Sequence, residues 1–246
     1  MGKLNAKAIR QLAWKDLAQR QYWPLLGGQF VLQLLSALIG GIGLIAVVVA
    51  VAAALFTQTA HGGPTGESLA EVLQNPALIL TGLLGGVGLT VPILYSLGFH
   101  SWGDKRMALE VCSRTFKFEQ FLSGWGHGWK MCWTLLVEYT YIQLWLLLLV
   151  IPGIVKAFSY AMTQYVQVDH PEWTANQCIT ESRRLMSGNR WRLFCLGISF
   201  IKWYLLLMLL TLFGGSGIAM IFLSPYLSTA FARFYLEIKR EKALPQ

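Results

Sequence analysis

Glu138 and Lys202 each stand inside a long apolar run, eight and nine residues from its start. If those runs are helices crossing a bilayer, both charges lie roughly 12–14 Å deep, at about 1.5 Å of rise per residue. A lone charge at the bilayer centre costs roughly 2.5–3.5 kcal/mol on insertion scales, so compensation is expected. The simplest is mutual: a Glu138–Lys202 pair between packed helices, with Ser199, Tyr139 or Tyr141 completing its hydrogen bonds. Lys156, just past Gly153, either snorkels outward or joins the group. Two chemistries fit such a cluster. It can hold an anionic or zwitterionic headgroup or relay a proton, or it can simply fix helix packing and register. The candidate ligand-binding residues are Glu138, Lys202, Lys156, Ser199 and Tyr160.

Other reactive patterns lead elsewhere. His100, Asp104, His127, Asp169, His170 and Glu172 approach one side of the chain, where caps and interfacial hydrogen bonds are expected of them rather than a metal. Gly214-Gly215-Ser216-Gly217 has the Gly-x-Ser-Gly form of a rhomboid protease nucleophile. That chemistry needs a later histidine, and the last one, His170, comes before the motif. Gly98 to Lys105 lacks the Gly-Lys-Ser/Thr ending of a phosphate loop, and no strand precedes it. No paired-carboxylate hydrolase site, dinucleotide loop or nucleic-acid module is present. The reading is therefore non-enzymatic, with no cofactor and no metal. Cys112, Cys132, Cys178 and Cys195 lack CxxC spacing and are expected as reduced thiols.

The elements that must position these residues are helices in a membrane. The sequence is 55% apolar and 13% charged, far from the balance of a soluble domain. Six apolar stretches can be read: Leu25–Phe56, Ala77–Phe99, Lys130–Val150, Gly153–Val168, Leu193–Leu212 and Gly217–Tyr235. Eighteen of the 20 Lys and Arg fall in segments that would share one side; Lys156 and Lys202 are the exceptions. Basic residues stay cytoplasmic in short-looped membrane proteins, so both termini are expected in the cytoplasm. The net charge of +8 therefore points to anionic headgroups, with no nucleic acid as partner. The first apolar run is about twice as long as a signal-peptide core, so cleavage is not expected. Pro152-Gly153 reads as a tight outer turn between the third and fourth spans.

Three amphipathic stretches lie between spans on the basic side. Lys3–Arg20 sets Leu4, Ala8, Leu12 and Ala13 against Lys3, Lys7, Arg10 and Lys15. Met107–Leu122 mixes Phe116, Phe118 and Phe121 with Arg114 and Lys117. The third opens on the capping-box pattern Thr174-Ala-Asn-Gln177 and ends at Gly188, with Cys178, Ile179, Leu185 and Met186 opposite Arg183 and Arg184. Such helices lie in the membrane interface, and seven of the ten Trp cluster on the same side. The fold class is all-α: one membrane domain over residues 1–246, six transmembrane helices as three hairpins, each preceded by a cytoplasmic interfacial helix. The hairpins form pseudo-repeats at about 3–99, 107–168 and 174–235. A shift of 64 superposes the second on the third, placing Glu138 on Lys202.

A set of residues in the C-terminal half carries a family resemblance. It includes Pro152-Gly153-Ile154, Tyr160, Asp169-His170-Pro171, Glu181-Ser182, Met186-Ser187-Gly188-Asn189 and Phe194. It continues through Ser199-Phe200-Ile201, Trp203, Gly217-Ile218, Pro225-Tyr226 and Phe234-Tyr235. Over about Ile151 to Tyr235 the chain resembles a family of bacterial integral membrane proteins defined only as a domain of unknown function. It is also similar, distantly, to the membrane domain attached to some glycerophosphodiester phosphodiesterases. The resemblance implies a multi-pass helical protein of the bacterial inner membrane and brings no reaction or ligand with it. Lys202 stands where the family pattern has an uncharged residue.

The function expected from all this is binding or translocation of a small amphiphile, a lipid or hydrophobic peptide, through a cavity containing Glu138 and Lys202. The alternative is an accessory or scaffold subunit that docks another membrane protein or an exporter. Membrane lipids are partners under either reading.

Overall fold

The computed structural model describes residues 5–18, 22–60, 76–113, 124–212 and 216–243, and every regular element among them is an α-helix. In chain order these are α1 (Ala6–Ala18), α2 (Tyr22–Ala60), α3 (Pro76–Ser113), α4 (Gly124–Leu148) and α5 (Val150–Tyr160). There follow α6 (Thr163–Asp169), α7 (Ala175–Met186), α8 (Arg190–Ile198), α9 (Ile201–Leu212) and α10 (Ser216–Ala243). Two stretches of the described residues, Tyr22–Ile39 and Trp125–Leu148, are long and apolar enough to cross a membrane. Lys3, Leu4, Arg20, the 61–75 part of the first loop, residues 114–122 of the second amphipathic stretch and Phe213–Gly215 lie outside the described residues.

The chain forms two compact units, residues 34–97 and residues 1–33 with 98–246. The first consists of most of α2 and the first part of α3, with Leu38, Ile45, Val48 and Val49 exposed. Pro92 sits inside α3, and one turn later Ser96 Oγ donates to the Ile93 carbonyl at 2.8 Å. The second unit holds the well-buried core, where Ile9, Met186, Leu196, Phe200, Phe234 and Ile238 pack together from α1, α7, α8 and α10 and the Ser199-Phe200 break. The amphipathic helices thus build the core, while α4 and α5 leave Leu147 88% and Ile151 78% exposed.

Close approaches within this unit rest on small residues. A Cβ on Gly103 would meet Leu32 Cδ1 at 2.6 Å, and one on Gly28 would meet Met107 Sδ at 2.7 Å. The same holds for the α4–α5 hairpin, but its turn lies three residues before the expected Pro152-Gly153. Leu149 alone is extended (φ −158°, ψ 132°), and both Pro152 and Gly153 are helical. Pro152 is the third residue of α5, where its missing N–H would have had no partner in the helix. Gly153 faces α4 so closely that a Cβ would lie 2.5 Å from Leu146 Cδ2 and 2.8 Å from Leu146 Cα.

Two of the expected spans are interrupted. The fourth breaks into α5 and α6 at Ala161-Met162, and α7 supplies the reason: Ser182 Oγ donates to the Ser159 carbonyl at 2.9 Å and accepts from the Met162 N–H at 3.2 Å. A hydroxyl inserted into the helical ladder kinks it. The fifth breaks into α8 and α9 at Ser199-Phe200, where Arg10 Nη1 from α1 donates to the Ser199 carbonyl at 3.0 Å.

The amphipathic helices are partly as expected. In α7, Cys178, Ile179, Leu185 and Met186 are all buried, opposite exposed Arg183 and Arg184. Gln177 Oε1 accepts the Thr174 N–H at 2.8 Å, and Gly188 turns the chain with φ +77°. In α1 the buried face is Ile9, Ala13, Asp16 and Leu17, rotated from the expected one. Asp16 turns inward because Arg233 of α10 grips both its oxygens at 2.6 Å. Met107–Ser113 is the end of α3 rather than the start of a separate helix.

Replacing Ser182 with Ala leaves the buried Met162 N–H without its acceptor. The expected cost is about 1–3 kcal/mol, seen as a lower denaturation midpoint in detergent. An unchanged midpoint would show that the break is held by something else.

Candidate functional site

The five candidate residues are not brought together. Glu138 is only 8% exposed on α4, whereas Lys202 is exposed on α9, its Nζ 5.8 Å from the ring centroid of its neighbour Trp203. No Glu138–Lys202 ion pair forms. The break at Ser199-Phe200 resets the helical phase ahead of Lys202 and turns it outward. Lys156 lies 4.4 Å over the Trp145 ring, within Coulombic reach of Arg183 and Arg190. Ser199 Oγ is spent on the Leu196 carbonyl at 2.6 Å. Tyr160 is 4% exposed in the core, and its carbonyl accepts from Thr163 Oγ1 at 2.6 Å. Tyr139 is 65% exposed, and Tyr141 donates its hydroxyl to Asn176 Oδ1 at 3.2 Å.

What does surround Glu138 comes from α3 and α6. The Gln164 amide and the Lys105 charge both act on its carboxylate. Ser101 Oγ in turn reaches Gln164 Oε1 at 3.4 Å. Glu138 Oε2 is nonetheless buried without a hydrogen-bond partner. A buried carboxylate oxygen in that state is costly; His100 Nδ1 and Trp102 Nε1 on α3 are likewise buried without a partner.

Next to it lies a connected polar network. Lys105 Nζ pairs with Asp104 Oδ2 at 2.8 Å and sits 5.5 Å from the Tyr165 ring centroid. Asp104 Oδ1 accepts from Gln29 Nε2 at 2.6 Å and from Ser228 Oγ at 2.9 Å, and Ser224 Oγ donates to Gln29 Oε1 at 2.8 Å. Burial alone would raise the Asp104 carboxyl; the Lys105 charge and the hydrogen bonds from Lys105 and Ser228 outweigh it and hold the group below its usual value. Burial likewise would lower Lys105, but Asp104 keeps it above the ordinary lysine range. His100, one turn before Asp104, is pushed down by burial, with Asp104 pulling it back and Lys105 adding to the shift.

A second hub was not anticipated. Gln167 is fully buried, its Oε1 accepting from Thr134 Oγ1 at 2.8 Å and Cys178 Sγ at 3.3 Å, so it ties α4, α6 and α7. The signal was there in the short fourth apolar run: Gln164 and Gln167 are one turn apart on the face that meets Thr134 and Glu138. Five of the six residues weighed for a metal have partners, while His100 Nδ1 is buried without one. His127 stacks on Trp102 at 4.4 Å and His170 on Trp173 at 4.1 Å, while Asp169 binds the Tyr235 hydroxyl at 2.7 Å and the Lys239 ammonium. The four cysteines are free thiols, and burial pushes Cys112 up to about 12. A shallow groove of about 470 Å³ lies along α7 beside Trp173, Asn176, Gln177, Thr180 and Glu181, and Glu138 is not among its lining residues.

Among known proteins, the family model described as Protein of unknown function (DUF975) matches residues 29–242, and the chain belongs to that family. No curated protein and no solved structure matches it. The expected likeness to the membrane domain of glycerophosphodiester phosphodiesterases is not shown by these comparisons.

Because Asp104 is held below its usual value, its contribution to stability is complete above pH 3.8 and is lost as the pH falls through its lowered value. Asp169, shifted the same way, adds to the loss. Asp104→Asn is expected to lower the denaturation midpoint at neutral pH and to flatten its fall in acid. Parallel pH profiles for wild type and variant would show that the Asp104 charge contributes nothing.

Proposed function

We propose that this member of the DUF975 family is a six-span helical protein of the bacterial inner membrane, non-enzymatic, that binds or moves a small amphiphile at Glu138. The three hairpins, the interfacial helices and cytoplasmic termini follow the sequence reading. Supporting it are the large apolar side chains left exposed along α4 and α5, and Trp14, Trp23, Trp125, Trp129 and Trp191, each at least 56% exposed near basic segments. Tryptophans so placed suit the headgroup level of a bilayer.

The observation that carries the ligand proposal is the buried, unpartnered Oε2 of Glu138 midway along an apolar helix. An ionisable group at that depth marks a binding or relay position. With Lys202 turned away, ionised Glu138 leaves Glu138, Asp104 and Lys105 together with one net negative charge. The ligand head is therefore cationic or zwitterionic, on a lipid or a hydrophobic peptide, with the Gln164 amide as its second contact. A second reading, an accessory subunit docking another membrane protein, is favoured by the groove along α7.

Equilibrium binding of the lipophilic cation tetraphenylphosphonium to the purified protein tests the first reading. Glu138→Gln is expected to weaken it at least about tenfold, the scale of one charge-assisted contact. Lys202→Met should leave it unchanged. Equal binding by wild type and Glu138→Gln would remove Glu138 from the site.

A further inference from the structure

Lys156, Arg183 and Arg190 stand on α5, α7 and α8, which pack together: Ser182 Oγ of α7 donates to the Ser159 carbonyl of α5 at 2.9 Å, and Phe158 of α5 meets Phe194 of α8 at 5.8 Å. Both guanidinium charges therefore act on the Lys156 ammonium. Among the described residues none of the three has a carboxylate within ion-pair distance, whereas Arg184, Arg192, Arg233, Lys105 and Lys239 all do. Three like charges gathered without a counter-ion repel one another, a cost that an anion between them removes. Arg183 and Arg190 are exposed, and Lys156 is held half-buried over Trp145. Arg190 also opens α8 directly after the Gly188 turn, so unfilled backbone N–H groups lie beside the cations.

The surface next to this trio is apolar. Trp191 is 71% exposed and stacks on Phe194 at 5.0 Å, and Phe194 meets Phe158 edge-on at 5.8 Å. Ile151, Ile154 and Val155, on the α5 segment leading to Lys156, are exposed as well. A phosphate oxyanion matches the cations, and a ligand with acyl chains matches the shelf and the α5 face below it. We propose that Lys156, Arg183 and Arg190 form a binding site for the phosphate of an anionic phospholipid, with its chains along α5 and its glycerol region against Trp191. The site is separate from Glu138 and stands whether or not Glu138 binds a ligand.

The test is native mass spectrometry of the full chain in detergent, titrated with dioleoyl phosphatidylglycerol or dioleoyl phosphatidylcholine. Wild type is expected to retain phosphatidylglycerol about tenfold more tightly, in line with the strength of Lys and Arg contacts to anionic lipid. Arg183→Gln with Arg190→Gln should bring the two lipids to parity. Arg183→Lys with Arg190→Lys should keep the preference, as should Arg184→Gln, whose residue is paired with Glu181 at 2.6 Å. Parity in wild type, or an undiminished preference in the double glutamine variant, would overturn the proposal. So would displacement of phosphatidylglycerol by inorganic phosphate in large excess, which would make this a site for the free anion. Should the double glutamine variant fail to fold, Lys156→Met decides the matter, and a full preference in that protein would likewise refute the site.

Discussion

Ser182 and Arg10 each reach into a helix that has come apart, and each supplies the hydrogen bond that the broken ladder lacks. Ser182 joins the Ser159 carbonyl and the Met162 N–H; Arg10 takes the Ser199 carbonyl. An apolar surrounding offers no water to do this, so an interrupted backbone persists only where protein groups complete it. The rest of the arrangement follows from that requirement. Helix α7 must lie against the α5–α6 break and α1 against the α8–α9 break, which places their apolar faces in one core with α10. The bidentate Asp16–Arg233 pair then locks α1 onto α10.

Polar side chains in this unit serve structure first. Gln167 and the Gln29–Asp104–Ser228 triangle have partners for each oxygen and nitrogen: neighbouring helices supply most, Lys105 takes Asp104 Oδ2, and the His170 and Trp173 carbonyls take Gln167 Nε2. Against that background, groups with unfilled capacity stand out. Glu138 offers an oxygen with no donor, and the Lys156 trio offers positive charge with no acid. The first is a carboxyl midway along an apolar helix and the second a cluster of cations at an exposed edge, so the two proposals take ligands of opposite charge.

Helix class and much of the amphipathic patterning were legible in the sequence because each rests on local rules. The face of α7 could be read from Cys178, Ile179, Leu185 and Met186, and its start from the Thr174–Gln177 pair. The breaks at 161–162 and 199–200 were not legible, since their causes, Ser182 and Arg10, are distant in the chain. The same reason undid the Glu138–Lys202 pair. Depth along two unbroken helices was sound arithmetic, but a break three residues before Lys202 changes which way it points. Asp16 broke the pattern of α1 because its partner Arg233 lies 217 residues away. Pro152 misled in a simpler manner: a proline reads as a turn, yet in the first turn of a helix it is at home.

The single extended residue at Leu149 leaves the α4–α5 connection without slack. One residue inserted or deleted there would rotate everything after it by about 100° around the helix axis. Gly153 would leave Leu146, and a neighbour that carries a Cβ, Pro152 or Ile154, would be driven into a gap that admits none. Length at this position is therefore as constrained as residue identity. Variation in chain length among related proteins should fall outside the Trp145–Gly153 segment, in the longer connections.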